Sequence, residues 1–81
     1  MKFDIIGALD RAETELGHQV SINWSKSEDA YLVQVKVLVD PNKVYGQQIA
    51  FTDHEVMMDE WYIMNEKFQN ALQALKLQID V

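Results

Sequence analysis

The spacing of apolar residues changes period twice along the chain. Ile5, Leu9, Ala12 and Leu16 recur at i, i+4, i+7 and i+11, one face of a helix, while Asp10, Arg11, Glu13 and Glu15 occupy the other. Asp4 can cap the start of this helix and Gly17 can end it in a left-handed conformation, so the helix is expected over about Asp4 to Leu16. After Gly17 the period drops to two: Val20, Ile22 and Trp24 alternate with Gln19, Ser21 and Asn23. A polar turn, Ser25 to Asp29, leads into the strongest strand signal, in which Tyr31, Val33, Val35, Val37 and Val39 share a face. Asp40-Pro41-Asn42-Lys43 has the chemistry of a turn, and a third strand is expected from about Gln47 to Thr52 with Ile49 and Phe51 inward. Gly46 is expected to mark a bulge or the end of the loop. From Asp53 the helical period returns in Met57, Trp61, Met64, Phe68, Leu72 and Leu75, with Ala71 on the same stripe. This pattern predicts one helix from about Asp53 to about Lys76, with Gln78 to Val81 frayed.

The resulting order is α-β-β-β-α, and its short connections favour an antiparallel meander. The expected fold is therefore α+β. Both helices should pack on the sheet face that carries Val20, Ile22, Trp24, Val33, Val35, Val37, Ile49 and Phe51. No repeat, low-complexity tract or linker interrupts residues 1–81, which read as a single small domain. So short a chain is expected to fill the space between helices and sheet with side chains rather than with a small-molecule pocket.

Composition narrows the chemistry. With 48% hydrophobic and 25% charged residues among 81, the chain can bury one core and only a modest one. Cysteine is absent, which excludes disulfides, thiolate zinc sites and cysteine nucleophiles and suits a reducing cytoplasm. No apolar run approaches the length of a signal core or a membrane span, so a soluble chain without membrane association is expected. Thirteen acids face seven bases, the net charge is −6, and Arg11 is the only arginine. Direct nucleic-acid binding usually needs a basic face and loses weight accordingly. The acidic excess serves solubility, or it forms a surface built to meet a basic protein.

The stretch TDHEVMMDEW, Thr52 to Trp61, concentrates the candidate chemistry. His54-Glu55-Val56-Met57-Met58 begins like the HExxH zinc motif, but Met58 stands where the second histidine belongs, and a thioether is a poor zinc ligand. Thr52 and Glu55 instead have the spacing of a capping box, in which Thr52 accepts from the Glu55 amide and the glutamate reaches back to the Thr52 amide. His54 then reads as a solvated residue of the first turn. Asp59 and Glu60 are neighbours and diverge on a helix, and Glu55 and Asp59 stack on its outer surface, so neither pair makes a buried acid–base couple. Glycines stand at 7, 17 and 46 only, which leaves no phosphate loop or nucleophile elbow. No enzyme, catalytic residue, metal site or cofactor is expected.

The inferred element order is similar to that of double-stranded RNA-binding domains. Those modules present basic residues at the start of the final helix, where this chain has Asp53-His54-Glu55 and Asp59-Glu60. The resemblance stops at element order, and no residue roles are carried over.

Interaction surfaces offer more. On a continuous final helix Glu55, Asp59, Tyr62 and Glu66 would form an acidic row with one aromatic anchor, and Val56 and Ile63 would lie on a further side. The expected role is a small non-enzymatic module that binds, through this acidic surface, a protein partner with a basic surface. By analogy with small acidic phage or mobile-element inhibitors, its carboxylates would stand in for phosphates. The alternative is a structural subunit that homo-oligomerises through its open sheet face or an edge strand. On that face Leu32 and Leu38 stand out among Gln19, Ser21, Asn23, Gln34, Lys36, Gln48 and Ala50. The simpler expectation is that both leucines pack under a loop or the C-terminal tail.

Overall fold

A computed structural model describes residues 4–80. Helix α1 spans Ile5–Leu16, strands β1, β2 and β3 span Gln19–Lys26, Ala30–Asp40 and Lys43–Thr52, and helices α2 and α3 span Asp53–Met57 and Trp61–Ile79. The three strands form one antiparallel sheet in the order β1-β2-β3, so the class is α+β. Within it, the final helix expected as one element is two.

Both ends of α1 follow their sequence signals. The Asp4 side chain accepts from the Gly7 amide at 3.0 Å, and Gly17 closes the helix at φ 72°, with its own amide on the Glu13 carbonyl. Ala8 and Ala12 are buried against β1, and their small side chains let the helix lie close to the sheet. Ile5, Leu9 and Leu16 are partly buried at the margins of this contact.

The register pairs Val20 with Val37, Ile22 with Val35 and Trp24 with Val33 across β1 and β2, and Val33 with Ile49 and Tyr31 with Phe51 across β2 and β3. Alternation therefore sends Val33, Val35 and Val37 to one face, where all three are fully buried. Phe68, Leu72 and Leu75 of α3 close over them, joined by Met64 and Ala71. Because α1 covers β1 and α3 covers β3, both helices occupy the same face of the sheet.

Two boundaries differ from the sequence expectation. Strand β3 begins at Lys43, because Pro41-Asn42 alone makes the turn, with the Asn42 amide donating to Asp40 Oδ1 at 2.8 Å. Gly46 is consequently inside the strand opposite Lys36, and the register shift falls between Leu38 and Asp40 instead. At the other end α3 continues to Ile79, which packs against the core and holds the last turn that was expected to fray. Val81 lies outside the described residues, as do Met1, Lys2 and Phe3.

Among the described residues no helix is long and apolar enough to cross a membrane. No element among the described residues covers the outer sheet face. Leu38 is exposed there opposite an exposed Val44, and Leu32 is only partly buried, so neither leucine packs under a tail as expected; α3 lies on the opposite face.

Candidate functional site

The break between α2 and α3 shapes the surface. Thr52 caps α2 as its sequence signal predicts, accepting from the Glu55 amide at 3.1 Å. Five residues later the helix stops. The Glu60 amide donates to the Glu55 carbonyl at 2.9 Å and the Asp59 amide to the Val56 carbonyl at 3.2 Å, the paired bonds of a Schellman stop. Asp59 takes the left-handed position at φ 53°, where glycine is usual and where aspartate is one of the better-tolerated substitutes. The chain restarts as α3 at Trp61, with the Ile63 and Met64 amides on the Glu60 carbonyl.

This corner separates the residues that a continuous helix would have aligned. Glu55 is buried, 8% exposed, rather than on an outer row. Its Oε1 accepts from Lys67 Nζ at 2.6 Å, and Lys67 also donates to the Ala50 carbonyl at 2.9 Å. The glutamate therefore turns toward α3 instead of completing the capping box. The attraction of a partly buried ammonium outweighs a neutral amide as partner. Glu55 Oε2 is buried without a hydrogen bond. Tyr62 and Glu66 are both exposed one turn apart on α3, while Ile63 is partly buried. His54, largely exposed, has Nδ1 2.8 Å from Glu60 Oε1, an ion pair whenever the imidazole is protonated. That partner offsets the unfavourable charge expected of a histidine in a first turn.

Met57 and Trp61, expected in the core, are outside it. Met57 is 82% exposed, and Trp61 is exposed with its ring edge-on to Tyr62 at 6.1 Å. Val56 and Met58 are exposed as well. The α2–α3 corner thus carries five large apolar or aromatic side chains in water: Val56, Met57, Met58, Trp61 and Tyr62. Isolated exposed apolar residues are ordinary, whereas these five fall within the seven positions from Val56 to Tyr62.

Beside the corner the inner sheet face is left open. The N-terminal ends of α1 and α3 stand at the same end of the sheet, where Ile5, Trp24 and Met64 line a groove of about 550 Å³. Tyr31 and Phe51 form its floor with Trp24, whose ring lies 6.1 Å from that of Phe51, and Val56, Met57 and Asp59 close its α2 side. Trp24 faces inward as expected, yet it is 50% exposed because no element among the described residues covers this end of β1. Of the residues singled out from sequence, Val56 and Asp59 meet at this groove. Trp24, Met57 and Trp61 are exposed although their spacing continues the core stripes, and Met58, also exposed, lies on neither stripe.

Charged residues stand near the groove at its Tyr31 floor and at Asp59. The Asp53 amide donates to the Asp29 carbonyl at 3.1 Å, which fixes the β1–β2 turn, with Glu28 and Asp29, next to the start of α2. Lys26 Nζ donates to Asp53 Oδ1 at 2.8 Å and sits 4.8 Å above the centre of the Tyr31 ring. The hydrogen bond to Asp53 and the neighbouring negative charges hold the Lys26 ammonium above its ordinary value of 10.5. No three His, Asp or Glu side chains converge as a metal-binding group among the described residues. Comparison with known protein families, with curated proteins and with solved structures finds no match to this chain.

Proposed function

We propose that this chain is a non-enzymatic protein-binding module that meets a basic partner through the α2–α3 corner. The observation that carries the proposal is the group Val56, Met57, Met58, Trp61 and Tyr62, exposed together around Asp59 on a chain of net charge −6. Apolar anchors supply affinity, and carboxylates around them steer and orient a basic partner. Asp59 and Glu66 are exposed and take the role first assigned to a longer acidic row, from which Glu55 is withdrawn by Lys67. Such a partner surface is of the kind that otherwise holds phosphates, so the module would act as an inhibitor by occupying it. A cysteine-free chain of this type fits action in the cytoplasm.

The test is capture of partners from cell extract on immobilised protein, followed by quantitative binding of what is recovered. A basic protein should bind the wild type, weaken as salt rises, and be displaced by DNA. Charge reversal at Asp59 and Glu66 together should remove the binding while the circular dichroism spectrum stays unchanged. A partner that binds this double variant as tightly as wild type would falsify the proposal.

A second reading is favoured by a different observation. Leu38 and Val44, paired across β2 and β3, are exposed on a sheet face that no element among the described residues covers. Two such faces could meet in a homodimer, with Leu32 and Leu38 at the contact.

A further inference from the structure

We infer that the groove at the open end of the sheet is a docking site for a basic amphipathic helix of a partner protein. The inference rests on the protein-binding role proposed above and names the element that is bound. The groove is open, apolar and lined by both a tryptophan and a flexible thioether, Trp24 and Met57. Methionine at such a site adapts to the shape of an incoming side chain, and helices are commonly read through apolar residues at i, i+3, i+4 and i+7 inserted into a groove of this sort. A small molecule filling the groove would leave Met58, Trp61 and Tyr62 in water. A helix lying from the groove across α2 would cover them.

The charges select the kind of helix. Asp59 lines the groove on its α2 side, and Asp53, which opens the same helix, and Asp29, bonded to the Asp53 amide, stand by Lys26 near the Tyr31 floor. The chain's own Lys26 shows how an ammonium sits beside the groove, bonded to Asp53 and stacked on Tyr31. A helix with lysine or arginine flanking its apolar stripe therefore meets complementary charge at Asp59, while an acidic helix of equal hydrophobicity is repelled. Asp59 has a particular advantage as the contact on the α2 side. Its left-handed backbone is fixed by the two bonds of the Schellman stop, so its position is set before the partner arrives.

Three synthetic peptides of equal length test this by titration against the full chain, read by the fluorescence of Trp24 and Trp61. One is a Leu/Lys amphipathic helix, one has the same composition scrambled to destroy the stripe, and one carries glutamate in place of lysine. The basic amphipathic helix should bind and blue-shift the emission, and the other two should bind at least about tenfold more weakly. Met57→Ser, at an exposed position whose change spares the core, should weaken the basic helix by about tenfold. Asp59→Asn keeps a residue suited to the left-handed backbone and should weaken it up to about fivefold. Equal binding of the amphipathic and scrambled basic peptides overturns groove docking but leaves the proposal of a basic partner standing. No binding by either basic peptide counts against both.

Discussion

Glu55 shows how one contact changes the meaning of a residue. In sequence it is a first-turn acid with a threonine three positions before it; in the fold it is a buried carboxylate held by an ammonium twelve residues later. Lys67 completes the arrangement by bonding β3, α2 and its own helix together. Removing the lysine would strand the carboxylate. A fully buried pair broken in this way costs about 3–5 kcal/mol, and the partial exposure of Lys67 reduces the expected loss for Lys67→Met to about 2 kcal/mol. Replacing Glu55 as well, with leucine, should recover most of that loss, because no orphaned charge remains. Urea unfolding of the wild type, both single variants and the double variant decides the matter; strictly additive changes would show that the pair is not coupled. The half of the capping box that depends on neighbours, Thr52 to the Glu55 amide, was visible in sequence. The other half was lost to a partner that no local spacing reveals.

At the scale of elements, the strands and α1 were legible because their signals are local and mutually consistent. Val33, Val35 and Val37 alternate without exception, and Asp4 and Gly17 bracket the first helix. The final helix was misjudged for a physical reason. Met57, Trp61 and Met64 keep intervals of four and three across the break, so hydrophobic period alone passes through Met58, Asp59 and Glu60 without a signal. The stop is made by an aspartate rather than a glycine, which removed the usual marker. This placement predicts an unusual mutational profile. Asp59→Gly should leave stability unchanged or raise it by up to about 1 kcal/mol, since glycine enters the left-handed region freely. Asp59→Val, β-branched and poorly suited to that region, should lower stability by about 1–2 kcal/mol. Thermal unfolding of the two variants provides the comparison, and equal midpoints would mean that the chain does not hold a left-handed turn there. The candidate site was only partly legible for the same reason: Asp59 and Val56 were identified, but the exposed Met57 and Trp61 follow from the turn.

For the molecule as a whole, a sheet with helices on one face leaves the other to water, and three strands are near the minimum that such an arrangement supports. Here the wet face is mostly polar, with Leu38 and Val44 as the conspicuous exceptions. If they join two copies, light scattering should give the mass of a dimer, and Leu38→Asp should convert it to a monomer with little change in thermal stability. A monomer at high concentration for the wild type would instead leave the α2–α3 corner as the proposed interaction surface. Charge repulsion at net −6 works against self-association, which makes the measurement informative at both low and high salt.

One further consequence follows from two hydrogen bonds at the margins of the sheet. The Val20 amide points away from β2 and donates to Glu13 Oε2 at 3.1 Å, and on the far side Lys67 donates to the outward Ala50 carbonyl. Each helix therefore occupies one backbone group on the strand that it covers. A ladder of strands grows by adding chains at its rails, and these two side chains interrupt both rails, as terminators do in a polymerisation. Neutralising either one frees one more outward backbone group on its edge strand for pairing with another chain.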